Sequence, residues 1–423
     1  MKTRLLAACV ACCIPPAHAD GPHTDRIEVT GHYGNGVGTS DAASQGYITP
    51  RLIEAKPLLR PAEVLEYVPG VIVTQHSGEG KANQFFLRGF NLDHGTDFAT
   101  SVAGVPVNMP THAHGQGYTD LNFLLPELVS RIDYRKGPYF AQEGDFSSAG
   151  AAHFHYQERL KEGLGVVSLG SHGYRRAVVA DSATDSRGDL LYAFELLGND
   201  GPWENPSRFA KQNALVRYSL GPAGDRHMIT AMAYEGRWNA TDQIPRRAVE
   251  SGLLGRLGAV DATDGGNSQR YGIAYERRHS HGSSELQLNA YAVRYRLQLY
   301  SNFTYFMNDP VNGDQFEQAD RRTVLGFSPT WLGTGTLWGR ESIVKLGAHV
   351  RQDRIGTVAM RCRDAVLYRP TAPMRSWRRW APSFRMLSRP HSWPVPSQVG
   401  DRPSTVRRSA CSNWSPFTGS FMK

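Results

Sequence analysis

Between about residue 150 and residue 355, apolar and polar side chains alternate in segments of roughly ten residues. The clearest segment is 286–297, in which the two faces exchange at nearly every step. A period of two is the periodicity of a β-strand. Segments of this length that are separated by Gly, Asp and Asn are typical of antiparallel sheets. The alternation therefore excludes a helical fold for this half of the chain.

Nine alternating segments are identified, at residues 165–169, 174–181, 190–199, 213–220, 227–238, 270–278, 285–300, 322–331 and 342–351. A transmembrane β-strand alternates in this way because its apolar face meets lipid and its polar face meets the barrel lumen. Aromatic residues near the segment ends suit the interfacial girdles of such a barrel; they are Tyr234, Trp238, Tyr300, Trp331 and Trp338. A soluble β-sandwich or propeller also alternates, so the pattern alone leaves both classes open.

The N-terminus favours the membrane class. Residues 1–19 have a positive start at Lys2 and Arg4, an apolar run over 5–14 and an Ala-x-Ala cleavage site at 17–19. These are the three parts of a secretory signal peptide. No later stretch of 18 apolar residues occurs, so no transmembrane helix is expected. An exported chain with alternating strands is therefore predicted to lie in the outer membrane of a Gram-negative cell.

Cysteine content rules out several kinds of site. Three of the five cysteines lie in the signal peptide, and the other two are Cys362 and Cys411. Residues 20–360 accordingly offer no disulfide scaffold, zinc–thiolate site or cysteine nucleophile. The chain also lacks the Gly-x-Ser-x-Gly, His-Glu-x-x-His and phosphate-loop motifs. We therefore expect no enzyme activity.

The net charge of +8 is confined to the C-terminal tail. Residues 361–423 hold 11 Arg and one Lys against two Asp, whereas residues 1–360 hold 35 basic and 37 acidic residues. Nucleic-acid binding by the body of the chain is not expected. The eight Pro residues of the tail argue against barrel strands, since each removes a ladder donor. Residues 357–423 are predicted to be an irregular, disordered basic tail. A frameshift near 356–362 and a tail that binds anionic lipid or nucleic acid remain open as explanations.

Residues 50–155 are predicted to form a separate α+β domain of roughly 100 residues. A helix is expected over 60–67, where Pro stands at the start and acidic residues follow in the first turn. Residues 121–128 are read as a short helical or irregular apolar segment. Strands are expected at 71–74, 84–90, 99–107 and 129–134.

Residues 20–49 form a polar, Gly-rich arm that contains the short β-prone island Ile27-Glu28-Val29-Thr30. One interpretation is a linker with chance β content. The other is a peptide that adds as a strand to the sheet edge of a partner.

Residues 50–155 resemble the plug domain of TonB-dependent outer-membrane receptors. The matching pieces are RPAEVLEYVPGV at 60–71, LRGF at 87–90, VAGVPV at 102–107, IDYRKGP at 132–138 and SAGAA at 148–152. Their order and spacing, after a signal peptide and before alternating strands, give the resemblance its weight. The sequence departs from the family at Ala103, where an Asp is usual, and at Ser147 and Ser148, where Gly is more frequent.

The resemblance implies a plug domain at 50–155 followed by an antiparallel transmembrane β-barrel at 156–356. Ile27, Glu28, Val29 and Thr30 stand where the family keeps its TonB box, which pairs with TonB by strand addition. The proton-motive force then moves the plug, so the receptor itself catalyses no covalent chemistry and requires no cofactor. Expected partners are TonB with its energising complex, outer-membrane lipid and a small-molecule or metal-chelate ligand.

The resemblance also assigns candidate site residues. Plug–barrel contacts are expected from charged and Gly residues at Arg88, Gly89, Arg135, Lys136 and Glu143, although ordinary solvated surface remains an equal alternative for these charges. Substrate contacts are expected from the plug loops that face the outside, namely from His76, Glu79, Asp93, His94, Asp97, Met109, His112, His114 and Tyr118. Within this set, His112 and His114 form a His-x-His pair in a Gly-rich loop, which could hold a metal ion. Hydrogen bonding within the plug, or contact with a non-metal ligand, is the alternative.

A barrel of this class needs about 22 strands to enclose a plug, and the alternating segments supply about half of that number. An open sheet leaves unpaired edges in lipid, so we expect an incomplete barrel and no transport by this chain alone. The expected function is TonB-coupled uptake of a scarce nutrient, with a ferric siderophore or metal complex as the substrate. The alternative is an exported β-rich binding protein that has a plug-like domain and no transport activity.

Overall fold

The structure is a computed structural model that describes residues 44–54, 57–75, 78–304, 307–311, 313–337, 340–362, 365–368 and 377–388. The predicted signal peptide and the island at Ile27, Glu28, Val29 and Thr30 lie outside these residues, as does most of the basic tail. In the described part of the chain, no helix is long and apolar enough to cross a membrane.

Two small sheets form the first domain, which we call the plug. Their strands are β1 (Gln45–Ile48), β2 (Val71–Thr74), β3 (Gln84–Leu87), β4 (Phe90–Asn91), β5 (Phe98–Val102), β6 (Val105–Pro106), β7 (Val129–Lys136) and β8 (Gly150–Tyr156). One sheet has the order β1-β7-β8-β5-β6, and the other has the order β2-β3-β4. The pair β5–β8 is parallel, whereas β7 runs antiparallel to both β1 and β8.

Short helices connect these strands. They are α1 (Pro50–Glu54) and three 3₁₀ helices at Pro61–Tyr67, Pro126–Leu128 and Ala141–Glu143. The helix predicted over 60–67 is present at Pro61–Tyr67 and is a 3₁₀ helix. Its start is fixed by Glu63, whose carboxylate accepts a hydrogen bond from the backbone N–H of Arg60 at 3.2 Å. Val64 and Leu65 on this helix are fully buried in the plug core.

The strands expected in the plug are present, and two of them are interrupted. The segment predicted at 84–90 is split into β3 and β4 by Arg88 and Gly89, which have φ angles of 52° and 82°. Gly adopts positive φ without penalty, so Gly89 suits the turn between the two strands. The segment predicted at 99–107 is divided into β5 and β6 by a similar turn at Ala103 and Gly104, with φ angles of 48° and 71°.

Among the described residues, eleven strands form a third sheet, which is antiparallel and which we call the wall. They are β9 (Leu164–Leu169), β10 (Arg175–Thr184), β11 (Gly188–Asn199), β12 (Phe209–Leu220), β13 (Asp225–Asn239), β14 (Gly265–His281), β15 (Ser284–Ser301), β16 (Phe316–Leu337), β17 (Arg340–Cys362), β18 (Ala365–Tyr368) and β19 (Trp377–Ser388). Neighbours in sequence from β9 to β17 pair with one another, and β18 and β19 both pair with β17. In the described residues β9 and β19 are not paired, so the barrel is not closed. The nine predicted segments coincide with β9–β17.

Polarity on the wall is the reverse of that in a soluble protein. On β11 the outward-facing Phe194 and Leu196 are 47% and 45% exposed, whereas Glu195 between them is fully buried against the plug. Lys211 and Arg217 on β12 are also buried on the inward face. An apolar outer surface around a polar interior is typical of a transmembrane barrel.

The two ends of the wall differ in the length of their connections. One end has short turns, at 185–187, 221–224 and 282–283. The other end has long loops at 200–208, 240–264 and 302–315, the second of which contains α2 (Arg246–Glu250). Transmembrane barrels keep short turns on the periplasmic side and long loops outside. We therefore take the long-loop end as the external end.

The structure corrects two of the predicted boundaries. Strand β1, at Gln45–Ile48, lies in the segment assigned to the arm, and it pairs with β7 of the plug. Strands β17 and β19 extend the wall beyond the predicted limit at residue 356, to Cys362 and then through Trp377–Ser388. Pro382 lies within β19 and is paired with Ala348. An edge strand accepts Pro where its nitrogen faces away from the ladder, so the Pro content did not exclude strands here.

Candidate functional site

The plug loops at the long-loop end bring together four aromatic side chains that were predicted to contact substrate. We call His94, His112, His114 and Tyr118 the His–Tyr cluster. The rings of His112 and Tyr118 are stacked, with centroids 4.0 Å apart and planes inclined by 8°. His94 lies 4.6 Å from His114, and Tyr118 meets the edge of His114 at 5.6 Å. The four residues therefore form one continuous aromatic group.

His112 is the buried member of the pair that was considered for metal binding. Its side chain is fully buried, and its Nδ1 accepts a hydrogen bond from the backbone N–H of His114 at 3.2 Å. Its Nε2 lies 3.9 Å from the Oδ2 of Asp320 on β16 and has no hydrogen-bond partner. Burial lowers the pKa of His112 well below its usual value, and the positive charge of Arg322 lowers it further. The ring is therefore neutral at pH 7.

His114 is more accessible. Its ring is hydrogen-bonded through Nδ1 to the Oε1 of Gln318 at 2.9 Å, and Gln318 also donates to the backbone carbonyl of Ala113 at 2.9 Å. Asp93 lies beside the cluster with its side chain half exposed, whereas His94 is buried and bonded through Nδ1 to the carbonyl of Asn83. Asp93 therefore offers an exposed carboxylate at this point, and the partly buried ring of His114 lies among those of His94 and Tyr118 with its Nε2 atom buried.

The arrangement assigns hydrogen bonds to the imidazoles rather than a metal shell. Among the described residues, no three His, Cys, Asp or Glu side chains converge in a way that could hold a metal ion. The Nδ1 atom of His112 is already used within the loop. Coordination of a metal ion by His112 and His114 together therefore remains a prediction, and the conformation described here does not support it.

The other predicted substrate residues lie at separate places. Glu79 accepts hydrogen bonds from Asn199 at the top of β11, at 3.1 Å, and from Arg60, at 3.5 Å. Asp97 accepts hydrogen bonds from Thr96 and Ser148 within the plug. Met109 is buried and pairs through its backbone with Tyr118. His76 lies outside the described residues.

Sequence reasoning missed the group that fastens this loop to the wall. Arg322 on β16 is fully buried and bonds to Asp320 and, at 3.2 Å, to Asp353 on β17. The same guanidinium donates to the plug carbonyls of Pro110 and Thr111, at 2.7 and 3.2 Å. Arg351 bonds to Asp353 and donates to the carbonyl of Asn108 at 2.8 Å. We call Asp320, Arg322, Arg351 and Asp353 the arginine clasp.

A second charged group joins the plug to the start of the wall. Glu127 in the plug receives both terminal nitrogens of Arg176 on β10, and Arg176 also bonds to Glu195 on β11 at 2.6 Å. Glu195 pairs in turn with Lys211 at 2.8 Å. This chain of alternating charges offsets the cost of burying each of them.

Wall and plug also approach closely at two glycines. A Cβ atom at Gly80 would clash with the ring of Trp238, and one at Gly104 would clash with the side chain of Asn289. Both glycines have positive φ, of 81° and 71°. Only Gly meets both demands without strain. The plug therefore approaches the wall closely at Gly80 and Gly104, and not at Gly89.

The plug–barrel contacts predicted from the sequence are mostly internal to the plug. Arg135 pairs with Glu143, and Glu143 also meets the Nε2 of His153 at 2.5 Å. Lys136 lies 5.7 Å above the ring of Tyr134. Arg88 and Gly89 are exposed on the turn between β3 and β4, and a Cβ at Gly89 would meet nothing within 4 Å. The helix that carries Glu143 does lie beside β19 of the wall.

One sequence signal could have identified the clasp. Asp320-x-Arg322 and Arg351-x-Asp353 each place two charges on the same face of an alternating strand, because residues two apart share a face. On a barrel strand the polar face is the inward one. Charges of opposite sign on the inward faces of adjacent strands indicate a paired site, although the plug carbonyls that they meet cannot be read from the spacing.

Comparisons with known proteins agree with this architecture. Residues 39–151 match the family model described as the TonB-dependent receptor plug domain. The ferric citrate transporter FecA in its unliganded form superimposes with a TM-score of 0.60 at 14% identity, covering 73% of this chain and 47% of FecA. The siderophore receptor PiuA from Acinetobacter baumannii gives 0.59 at 12% identity, covering 80% and 52%. The copper transporter OprC gives 0.53 at 18% identity, covering 74% and 46%. The chain spans about half the length of the solved structures that it matches.

The buried clasp predicts a large effect for Arg322→Gln. The change leaves the carboxylates of Asp320 and Asp353 and two plug carbonyls without their donor, and breaking a buried ion pair in this way costs about 3–5 kcal/mol. We expect the free energy of unfolding in urea, measured on the chain in detergent, to fall by that amount. The matched control is the exposed neighbour Arg321→Gln, for which a change within about 0.5 kcal/mol is expected. Equal effects of the two variants would contradict the clasp.

The lowered pKa of His112 predicts a dependence on pH. Below about pH 6.5 the unfolded chain protonates this residue, whereas the folded plug keeps it neutral. Unfolding then takes up a proton, so the free energy of unfolding falls as the pH falls. We expect His112→Gln to lose less stability than the native chain between pH 7.5 and pH 5.5 in urea titrations. The exposed His281→Gln is the control and should follow the native chain; a His112→Gln curve that did the same would refute the assignment.

Proposed function

We propose that this chain is the plug and the first barrel strands of a TonB-dependent receptor for energy-coupled uptake across the outer membrane of a Gram-negative bacterium, and that with its open wall it does not transport by itself. Its substrate would be a scarce nutrient held as a metal chelate, with ferric siderophores as the leading class. The observation that carries this proposal is the position of the His–Tyr cluster, which lies on plug loops at the long-loop end of the wall.

The chemistry at that end suits a chelate better than a bare ion. The half-exposed carboxylate of Asp93 presents a hydrogen-bonding group, and the rings of His94, His112, His114 and Tyr118 form an aromatic layer beside it. A chelate already saturates its metal, so recognition requires hydrogen bonds and aromatic faces rather than vacant protein ligands. Solved neighbours are named as a ferric citrate transporter, siderophore receptors and a copper transporter, which supports the same class of cargo.

Energy coupling would enter through Ile27, Glu28, Val29 and Thr30. Their β-prone sequence in a polar arm suits strand addition, in which main-chain hydrogen bonds supply the affinity for a sheet edge of TonB. The wall positions the plug. The arginine clasp holds the loop at 108–114, and the Glu127–Arg176 pair holds the plug against β10, so both contacts depend on charge rather than on an apolar seal. The chain's own residues bind and move; none performs covalent chemistry in this proposal.

Binding to TonB tests the coupling step. We expect the chain in detergent to bind an immobilised periplasmic domain of TonB, and Val29→Pro to weaken that binding at least about tenfold, since it removes a ladder donor worth about 1 kcal/mol and disfavours the extended pairing around it. Ser40→Pro, in the same arm but outside the island, is the control and should bind normally. A native chain that binds a metal chelate but not TonB would favour an exported binding protein instead.

Chelate binding tests the site. Ferric citrate, ferric enterobactin and copper(II) would each be titrated against the chain while tryptophan fluorescence is followed. For any chelate that binds, we expect His114→Ala together with Asp93→Asn to weaken binding about tenfold or more, the equivalent of one lost hydrogen bond to the charged Asp93 together with the lost contact of the His114 ring. The control is His281→Ala at the short-turn end. Unchanged binding in the double variant would place the site elsewhere.

A further inference from the structure

The outward face of the wall carries a feature that plug and substrate do not explain. Four arginines on three adjacent strands point away from the plug and are exposed: Arg294 and Arg296 on β15, Arg321 on β16 and Arg354 on β17. Arg296 is the cross-strand partner of Arg321, and Arg294, Thr323 and Arg354 form the next row. We call these four residues the outward arginine cluster.

The cluster is not neutralised within the protein. In the described part of the chain, none of the four makes an ion pair with a carboxylate. Two carboxylates on the same face have other partners, since Glu235 accepts a hydrogen bond from Tyr271 and Glu317 lies 3.7 Å from Arg361. Like charges directly opposite each other on neighbouring strands are destabilising. An external anion bound between these four guanidinium groups would therefore offset their mutual repulsion.

An apolar groove adjoins the cluster on the same face. It has a volume of about 480 Å³ and is lined by Ala290, Ala292, Leu325, Gly326, Phe327 and Val350, among others. On this face the small residues Ala290 and Ala292 of β15 are the cross-strand partners of Phe327 and Leu325 on β16. The row formed by Ala292, Leu325 and Gln352 comes immediately before the row that contains Arg294 and Arg354.

The order of groove and cluster matches the axis of an outer leaflet. Strand β15 runs from the short turn at 282–283 to the long loop at 302–315, so Arg294 and Arg296 lie closer to the external end than Ala290 and Ala292 do. Tyr271, the cross-strand partner of Arg294, is 38% exposed in the same row. Exposed Tyr and Arg are typical of the level at which lipid head groups meet water, and the groove lies beneath that level.

We propose that this face binds one phosphorylated lipid of the outer leaflet, with its phosphate groups on the outward arginine cluster and an acyl chain in the groove. Guanidinium groups bind phosphate oxygens in pairs, and two adjacent rows of them suit a head group with more than one phosphate. The proposal does not depend on TonB or on the transported ligand, because it involves the opposite face of the wall.

Diphosphoryl lipid A and its enzymatically dephosphorylated form are the probes, and native mass spectrometry of the chain in non-ionic detergent is the readout. We expect the phosphorylated form to bind at least about tenfold more tightly, a difference of about 1.4 kcal/mol. Changing all four arginines of the cluster to Gln should abolish that preference. Ala292→Phe, which fills the groove, should weaken binding of both forms.

The matched control changes four exposed arginines elsewhere to Gln, at Arg187, Arg208, Arg246 and Arg256, and so removes the same charge. It should keep the preference for the phosphorylated lipid. Because all four cluster positions are exposed, each variant is expected to retain its β-structure, and circular dichroism checks this. The proposal is overturned if the two lipid forms bind equally, if the control variant loses the preference as well, or if millimolar inorganic phosphate alone displaces the lipid completely.

Discussion

The exclusion of water between plug and wall is the constraint on which this structure depends. The inward face of a barrel strand is polar, and here the plug covers it, so charges such as Glu195, Lys211 and Arg322 are buried. A buried charge without a partner costs several kcal/mol. The wall meets this cost by pairing its charges with one another and with plug groups. The contacts of Arg322 with Asp353 and with the carbonyl of Pro110 show both solutions in one side chain.

Most of the wall could be read from the sequence because its signal is local. Alternation with a period of two needs no knowledge of distant residues, and each of the nine predicted segments is a strand. The sequence failed where the local signal is weak. Strand β1 has only four residues, Gln45–Ile48, and its place is set by β7, which is more than eighty positions away. Pro382 concealed β19 because the cost of Pro depends on which side of the strand pairs, and spacing does not show that.

The candidate site divides in the same way. Loop position and residue type identified His94, His112, His114 and Tyr118, and the structure brings these four together. Their roles depend on partners that lie far away in sequence: His114 meets Gln318 across 204 positions, and Arg322 meets Pro110 across 212. The charges predicted to join the plug to the barrel illustrate the same limit. Arg135 and Glu143 are separated by eight positions and pair with each other within the plug.

The way in which the plug is held bears on whether it can move. An apolar seal gains free energy in proportion to the area removed from water, and it loses all of that when the surfaces separate. A buried ion pair differs, because its attraction is largely offset by the cost of desolvation, and rehydration recovers that cost. The arginine clasp therefore fixes the position of the loop at 108–114 strongly while the site is dry. If the plug moves and water enters, Arg322 and Asp353 exchange protein partners for solvent, and separation costs less than for an apolar contact of equal strength. A plug fastened by charge is in this sense both well located and removable.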